Sequence, residues 1–244
     1  MNKTVLVTGA TGGIGEAICT EFAKNGYNIV IHYSSNEEKS KELKKHLKEK
    51  YKVNVCRIHA DLRNPDEAAE LGKSAVYIMG SVDVLINNAG LSYQNLFQLS
   101  DRKAVTDLFN VNIMGAMELT KAVLPSMINN KWGRIINISS MWGISGASCE
   151  VHYSASKAAM TGFTKALAKE VGPSGITVNC VAPGFIDTKM NSHLDKDSVK
   201  EIIDNTPVSR AGKGEDVAYL CDFLAGEKAE FITGQVISVD GGYI

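Results

Sequence analysis

Tyr153 and Lys157 stand four positions apart within a pattern typical of a helix. This spacing predicts that their side chains share one helix face. A tyrosine pKa of about 10 makes the hydroxyl a poor proton donor at neutral pH. A lysine cation about 5 Å away, at an effective dielectric of about 20, favours the phenolate by roughly 3 kcal/mol, or about two pKa units. The pair is therefore predicted to be a general acid.

Other polar residues follow predicted strands closely. Ser140 ends a strand thirteen residues before Tyr153, Asn87–Gly90 follow the preceding strand, and Pro183-Gly184 follow the next one. Asn112 lies instead within a long predicted helical region. Open α/β sheets build their sites at the carboxyl ends of their strands. We therefore expect these residues to contribute to one site.

A glycine-rich loop, Thr8–Gly15, joins the first predicted strand to the first predicted helix. Strand, glycine turn and helix form the context of a dinucleotide-binding fingerprint, although the spacing Gly9-x3-Gly13-x-Gly15 differs from the commoner G-x-G-x-x-G. Glycines let the backbone approach a pyrophosphate at the helix N-terminus. The predicted cofactor contacts of this loop are Gly9, Thr11, Gly12, Gly13, Ile14 and Gly15.

The end of the second predicted strand bears on the choice of cofactor. In such folds a carboxylate there binds the ribose 2′-hydroxyl of NAD. This strand has none at its end, so nothing at that point repels a 2′-phosphate, whereas Glu37 and Glu38 bring negative charge nearby and no arginine stands in this stretch or in the glycine loop. We predict NADPH rather than NADH, and a capping box formed by Ser35 and Glu38. The predicted contacts are Tyr33, Ser34, Ser35 and Asn36, with Asp61 and Leu62, after the third strand, at the adenine.

The elements that must position these residues alternate between strands and helices. The predicted strands are mostly continuous apolar runs, typical of strands buried on both faces: Thr4–Thr8, Asn28–Tyr33, Val53–Ile58, Val82–Ile86, Arg134–Ser139, Thr177–Val181 and Val236–Val239. Helices are predicted near 14–25, 37–50, 66–79, 101–124, 153–171 and 214–224. This alternation predicts an α/β fold, a single-domain, doubly wound (Rossmann) parallel sheet of about seven strands with helices on both faces. Residues 1–244 form that domain, and the polar segment 187–214 is expected to be a mobile lid.

Composition excludes several classes of protein. The 244 residues carry a net charge of −1, which argues against a nucleic-acid partner. Nothing reaches 18 uninterrupted apolar residues, and the amino terminus lacks a signal-peptide pattern, so no membrane association is expected. The five cysteines form an odd set without a close pair, so we expect neither disulfides nor a metal site, and a cytoplasmic location.

Taken in order, these motifs resemble those of the short-chain dehydrogenase/reductase family, and the resemblance covers essentially the whole chain. The matching positions are Thr8–Gly15, Asp61, Asn87–Gly90, Asn112, Ser140, Tyr153, Lys157, Pro183-Gly184, Thr188, Thr233–Gln235 and Asp240–Gly242.

The resemblance implies hydride transfer from NADPH coupled to a proton relay. Tyr153 would protonate the carbonyl oxygen, which Ser140 would orient. Lys157 would bind the nicotinamide ribose and lower the tyrosine pKa, and Asn112 would hold a water that links Lys157 to solvent. Further implied cofactor contacts are Asn88, Ala89, Gly90, Pro183, Gly184, Ile186 and Thr188, the last two at the nicotinamide carboxamide.

Within this family the chain is most similar to 3-oxoacyl-[acyl-carrier-protein] reductases of fatty-acid synthesis, which act on a thioester held by a carrier protein, usually as homotetramers. Such reductases present two basic residues near the site mouth to the acidic carrier. These positions fall at Lys131 and Ser174 here, and only one of the two is basic.

Other substrates remain open. The segment Met141–Val151 resembles that of bacterial reductases that finish a 5-aminopentanone modification on a lysine of translation elongation factor P. Trp142 and Glu150 would then face a chain ending in an ammonium; alternatively, Trp142 packs and Glu150 caps a helix. A free small ketone or hydroxysteroid is a third substrate class. A non-catalytic NADPH-sensing protein is the alternative of another kind.

Overall fold

The computed structural model describes residues 2–191 and 195–244. Within these residues, seven strands form one sheet in the order β3-β2-β1-β4-β5-β6-β7, and all neighbouring strands pair in parallel. The strands are β1 (Thr4–Val7), β2 (Asn28–Tyr33), β3 (Val55–His59), β4 (Val84–Asn87), β5 (Gly133–Ile138), β6 (Ile176–Pro183) and β7 (Val236–Val239). The predicted doubly wound parallel sheet is confirmed.

The helices of the described residues cover both faces of the sheet. They are α1 (Gly13–Lys24), α2 (Glu37–Tyr51), α3 (Pro65–Met79), α4 (Arg102–Phe109), α5 (Gly115–Asn130), α6 (Trp142–Ser145), α7 (Val151–Val171), α8 (Lys196–Asp204) and α9 (Gly214–Ala225). One buried cluster joins α1, α2 and α9 to the sheet, and a second joins α3, α5 and α7 to the opposite face. Val5 and Val7 enter the first cluster and Leu6 the second, as expected for a strand covered on both sides.

The strand order reverses direction beside β1, which has β2 on one side and β4 on the other. Helices α1 and α3 therefore lie on opposite faces, and a crevice opens above the carboxyl ends of β1 and β4. Such a topological switch point is where open α/β sheets bind ligands. The glycine loop and Asn88 both stand at this point.

The predicted helix near 101–124 is interrupted. One wide turn with π-type hydrogen bonding, Asn110–Met114, separates α4 from α5. Such turns occur frequently at functional sites, and this one contains Asn112. Gly115 follows the turn, where two segments of the backbone approach closely: a Cβ on Gly115 would lie 3.1 Å from the carbonyl oxygen of Leu62.

The predicted lid segment contains a helix that the sequence analysis missed, α8, and residues 192–194 of that segment lie outside the described residues. Its two ends are tied together. Ile186 and Gly212 form a parallel bridge, and the backbone N–H of Asp187 donates to the carbonyl of Gly212 at 2.9 Å. The segment therefore starts and finishes at one place beside the crevice.

Within the described residues, no helix is both long enough and apolar enough to cross a membrane. The same residues bring no three His, Cys, Asp or Glu side chains together in a group that could hold a metal ion.

Candidate active site

The glycine loop forms a tight turn between β1 and α1. Gly9 adopts a φ of +61°, a conformation that favours glycine, and its carbonyl accepts the N–H of Gly12 at 3.0 Å. Gly15 faces this carbonyl so closely that a Cβ would overlap the Gly9 oxygen and lie 2.8 Å from Cα of Ala10. The loop therefore keeps its shape only with glycine at these positions.

A buried histidine, which the sequence analysis did not single out, holds the loop to the sheet. His32 Nδ1 accepts the N–H of Gly9 at 3.0 Å, and Nε2 lies 3.0 Å from the carbonyl of Ala60. Since Nδ1 is the acceptor, Nε2 carries the ring proton and donates it to Ala60. Burial lowers the pKa of His32 to about 4, so the ring is neutral at physiological pH.

The first turn of α1 is left open for an anion. Helices α2, α3, α4 and α8 each begin with an Asn or Asp side chain that accepts a backbone N–H, whereas no described side chain caps Gly12 at the start of α1. Free N–H groups and the helix dipole both favour an anion at this place. The open start of α1 is compatible with the pyrophosphate of a dinucleotide, and the contacts of Gly9 to Gly15 stay a prediction.

The residues after β4 lie against both the loop and the catalytic residues. Thr8 Oγ1 accepts the backbone N–H groups of Asn88 and Ala89, each at 2.9 Å, and Asn88 Nδ2 donates to the carbonyl of Thr8 at 2.8 Å. Gly90 continues toward Lys157, whose Nζ would lie 3.2 Å from a Cβ on Gly90. The predicted cofactor positions Asn88, Ala89 and Gly90 therefore line one wall of the crevice.

The start of α2 differs from the prediction. Asn36 caps the helix, because its Oδ1 accepts the N–H of Lys39 at 3.2 Å. The predicted capping box of Ser35 and Glu38 is wrong: the helix begins one residue later than that box requires, and Glu38 pairs with Lys41 at 2.6 Å. Ser34 and Ser35 are exposed at the end of β2.

Strand β3 brings an arginine close to the end of β2. The sequence around the end of β2 does not reveal this arginine. Arg57 lies with its guanidinium carbon 5.4 Å from the ring centre of Tyr33, and its Nη1 donates to Ser40 Oγ at 2.7 Å. The observation that no arginine stands near the end of β2 in sequence therefore does not hold in space. Only the pairing of β2 with β3 brings Arg57 there.

Asp61 and Leu62, the residues predicted to contact the adenine, follow β3. The Asp61 carboxylate is held by Arg63, with Nη2 at 2.7 Å, and this bond keeps the pKa of Asp61 below its usual range. Leu62 is buried. Its packing against Gly115 connects the end of β3 to the wide turn that carries Asn112.

Ser140, Tyr153 and Lys157 come together above the end of β5. The side chain of Ser140 lies close enough to the Tyr153 hydroxyl to lower its pKa. Lys157 Nζ lies 5.8 Å from the ring centre of Tyr153 and donates to the carbonyl of Ile138 at 2.9 Å. Ser139 Oγ donates to the carbonyl of Lys157 at 2.8 Å and so ties α7 to the strand end.

The effect predicted for Lys157 on Tyr153 is wrong in this arrangement. Burial raises the pKa of Tyr153 to about 12, the Ser140 side chain opposes this rise, and the Glu150 charge adds to it. Lys157, whose ammonium donates to the carbonyl of Ile138, does not offset the burial. Burial also lowers the pKa of Lys157, to about 8. Tyr153 therefore holds its proton firmly, as a proton donor in the ground state does.

Asn112 is buried, and its side chain makes three hydrogen bonds to the protein. Its Oδ1 accepts the N–H of Leu91 at 2.8 Å, and its Nδ2 donates to the carbonyl of Leu91 and to Ser156 Oγ. Ser156 Oγ in turn donates to the carbonyl of Tyr153 at 2.7 Å. Asn112 thus links the wide turn, the loop after Gly90 and the helix of the catalytic pair.

The residues after β6 close the opposite wall. The carbonyl of Pro183 accepts the N–H of Met141, and Gly184 lies so close to Asp240 that a Cβ would stand 2.7 Å from its Cα. Thr188 reaches across the crevice, since its Cγ2 would lie 2.7 Å from a Cβ on Gly13. The Ile186 carbonyl accepts Asn191 Nδ2 at 2.8 Å.

The two residues proposed to face an ammonium lie between Ser140 and Tyr153 in the sequence. The ring of Trp142 packs edge-on against Tyr243 at 5.9 Å, and its backbone N–H donates to Ser140 Oγ at 3.2 Å. Glu150 precedes α7, but within the described residues its side chain makes no capping bond. Its charge instead acts on Tyr153.

The two carrier-binding positions are not at the site mouth of this chain, contrary to expectation. Lys131 ends α5 just before β5, and Ser174 precedes β6. Both lie at the amino ends of these strands, whereas Ser140 lies at the carboxyl end. A six-residue strand such as β5 separates the two ends by about 20 Å.

Comparison with known proteins agrees with this geometry. The short chain dehydrogenase family matches residues 3–199. The chain is 42% identical over 243 residues to the uncharacterized oxidoreductase YmfI of Bacillus subtilis (100% of this chain, 99% of the relative). It is 39% identical over 242 residues to the 3-oxoacyl-[acyl-carrier-protein] reductase FabG of Staphylococcus epidermidis, with 99% of each chain covered.

Two solved structures share the fold. One is YwfH, an NADPH-dependent reductase involved in bacilysin biosynthesis (TM-score 0.94, 29% identity, 100% of this chain and 99% of the other). The other is a blue fluorescent protein from a metagenomic library in complex with NADPH (TM-score 0.93, 33% identity, 99% and 97%). By family match, whole-length relatives and structure, the chain belongs to the short-chain dehydrogenases and is an oxidoreductase of that family.

Proposed function

We propose that this enzyme reduces a ketone to a secondary alcohol with NADPH. The substrate that we propose is a 3-oxoacyl group carried by an acyl carrier protein. The observation that carries the proposal is the placement of Tyr153 beside Ser140 at the end of β5, with the buried Lys157 ammonium on the same helix. This is a protonated acid beside a second hydroxyl, at the end of a crevice that fits a dinucleotide.

The position of each residue determines the role that we propose for it. When bound, the reduced nicotinamide supplies the hydride for the carbonyl carbon. Tyr153 donates its proton to the carbonyl oxygen, and Ser140 holds that oxygen by a hydrogen bond. The raised pKa of Tyr153 keeps the proton in place until negative charge develops on the substrate oxygen, which is a stronger base than tyrosinate.

Lys157 supplies charge and a path for the proton. Its pKa of about 8 leaves the ammonium mostly protonated at neutral pH. An ammonium has three N–H donors, of which Ile138 takes one. The others remain for the nicotinamide ribose and for a water held near Asn112, the roles we propose for these two residues.

The carrier-borne substrate is supported by relatives named as 3-oxoacyl-[acyl-carrier-protein] reductases at 38–39% identity over nearly the whole chain. NADPH as cofactor is supported by the NADPH-dependent and NADPH-bound structural neighbours. Four features stay predictions: the single cofactor-binding domain, the lid at 187–214, the homotetramer and the cytoplasmic location.

A second substrate is favoured by one observation, the charge of Glu150 acting on Tyr153. A carboxylate whose charge reaches the proton donor suits a ketone whose chain carries an ammonium, as in the 5-aminopentanone modification of elongation factor P. The backbone N–H of Trp142 donates to Ser140 Oγ, and its ring packs against Tyr243. The position of Lys131, at the far end of β5, also weakens recognition of a carrier within one chain.

The test follows NADPH and NADH consumption with acetoacetyl-CoA, an acetoacetyl carrier protein, elongation factor P bearing the aminopentanone, and a small free ketone. Rapid NADPH loss with the acetoacetyl thioesters supports the first proposal. Turnover confined to modified elongation factor P, with a higher KM in Glu150→Gln, supports the second. NADPH binding without reduction of any ketone would contradict both and indicate a cofactor-sensing protein.

A further inference from the structure

The end of β2 is where a 2′-phosphate of the adenosine ribose would lie. The cationic side chains near it differ in how closely they are paired with carboxylates. Lys39 pairs with Glu16 at 2.6 Å, and Lys41 pairs with Glu37 and Glu38 at 3.2 and 2.6 Å. These pairs offset the acidic start of α2. They also leave neither lysine free to receive a further anion without breaking a short ion pair.

Arg57 is held differently. Its Nη2 lies 3.9 Å from the Glu37 carboxylate, at the outer limit of an ion pair, and its side chain is one-fifth exposed. Nη1 is fixed by the buried Ser40 hydroxyl at 2.7 Å and contacts the carbonyl of Glu37 at 3.4 Å. The guanidinium is thus oriented by the first turn of α2, while it has further N–H donors.

Tyr33 connects this arginine to the predicted phosphate position. The guanidinium lies over the Tyr33 ring, and His59 contacts the same ring edge-on at 5.6 Å. Tyr33 is directly followed by the exposed hydroxyls of Ser34 and Ser35. A cation over the ring of Tyr33, next in sequence to two exposed hydroxyls, suits a phosphate dianion, and an arginine fork binds phosphate oxygens well.

We propose that Arg57, reaching from β3 to the start of α2, determines the preference for a 2′-phosphorylated cofactor, with Ser34 and Ser35 as hydroxyl donors. This inference rests on the proposed use of NADPH. It assigns the selectivity to a residue outside the segment from Tyr33 to Asn36, to which the sequence analysis attributed it.

The test measures binding directly by calorimetry, so that turnover is not needed. Dissociation constants of NADPH, NADH, 2′,5′-ADP and 5′-AMP are compared for the wild type, Arg57→Met and Arg57→Lys. Arg102→Met, at the exposed start of α4, removes the same charge from an element that, within the described residues, makes no hydrogen bond or ion pair to the end of β2, and serves as the matched control. Loss of a charge-assisted bond is expected to weaken NADPH and 2′,5′-ADP by about 10–100-fold in Arg57→Met.

NADH and 5′-AMP should bind Arg57→Met as they bind the wild type, Arg57→Lys should retain part of the preference, and Arg102→Met should change nothing. Equal weakening of all four ligands by Arg57→Met would overturn the inference, because it would indicate a structural role at α2. An undiminished NADPH preference in Arg57→Met would overturn it while leaving the proposed function intact. A wild type that prefers NADH would overturn both.

Discussion

The substitution Gly15→Ala tests whether the turn between β1 and α1 is the cofactor cradle. The added Cβ would overlap the Gly9 carbonyl oxygen and lie 2.8 Å from Ala10 Cα and 2.9 Å from Asn88 Nδ2. Two of these neighbours are backbone atoms, and His32 fixes the loop by its bond to Gly9. The chain must therefore shift, which costs about 1–3 kcal/mol for overpacking.

The shift also disturbs the bond from Asn88 to Thr8, a further loss of about 1 kcal/mol. We therefore expect Gly15→Ala to lower the free energy of unfolding by about 2–4 kcal/mol in urea titrations. NADPH affinity, measured by fluorescence under conditions where the variant is folded, should fall by at least about tenfold, since one lost charge-assisted bond is enough for that.

Gly162→Ala is the matched control. Gly162 is exposed in the interior of α7, and a Cβ there would meet no atom within 4 Å. The same methyl group should raise stability by about 0.5–1 kcal/mol, because alanine is the better helix former. A Gly15→Ala protein that matches Gly162→Ala in stability and binds NADPH as the wild type does would refute the cradle.

Three further predictions concern buried polar groups. His32 has a native pKa of about 4 against about 6.5 when unfolded. Between these values the unfolded chain binds a proton at this residue and the native chain does not. Stability should fall by up to about 3 kcal/mol between pH 6.5 and 4 in urea titrations, and His32→Gln should lack this slope. Lys157 has a pKa of about 8 in the native chain against 10.5 when unfolded. The full free-energy cost of burying its charge therefore applies below pH 8 and disappears by pH 10.5. Lys157→Met should therefore abolish turnover yet be more stable at neutral pH by about 2 kcal/mol, the shift less one hydrogen bond, and a less stable variant in the same titrations would contradict the burial argument. Asn112→Leu removes three hydrogen bonds around Leu91 and Ser156 and should destabilise by about 2–4 kcal/mol with a loss of kcat; wild-type stability by calorimetry would show that these bonds contribute nothing.

Much of the fold follows from periodicity, because strands buried on both faces are continuous apolar runs. Each predicted strand lies within two residues of an observed one. The break at Asn110–Met114 was not predicted, since an apolar pattern continues through one wide turn without a gap. The helix α8 was missed because its segment is polar and short of apolar residues, although Asp195 caps its start and is a readable signal.

The candidate site shows where sequence reasoning stops. Residues that directly follow strands, such as Ser140 and Asn88, could be placed at the crevice from the parallel-sheet rule alone. His32 and Arg57 could not, because each acts across a strand boundary: His32 bonds to the ends of both neighbouring strands, and Arg57 reaches its position only through the pairing of β3 with β2.

The direction of the Tyr153 pKa was wrong for a similar reason. Spacing along α7 gives the separation of tyrosine and lysine but neither the burial of both groups nor the carbonyl of Ile138 that attracts the ammonium. Burial acts on each group separately and outweighs their attraction at 5.8 Å.

The central claim is that Tyr153 is the proton donor for ketone reduction, and Tyr153→Phe tests it most directly. The variant loses one oxygen atom, and Tyr77→Phe, at a tyrosine 90% exposed on α3, serves as the matched control. Loss of a general acid should lower kcat by about 10²–10⁴-fold while NADPH affinity remains at the wild-type value. Near-normal turnover of a ketone by Tyr153→Phe would contradict the mechanism proposed for this enzyme.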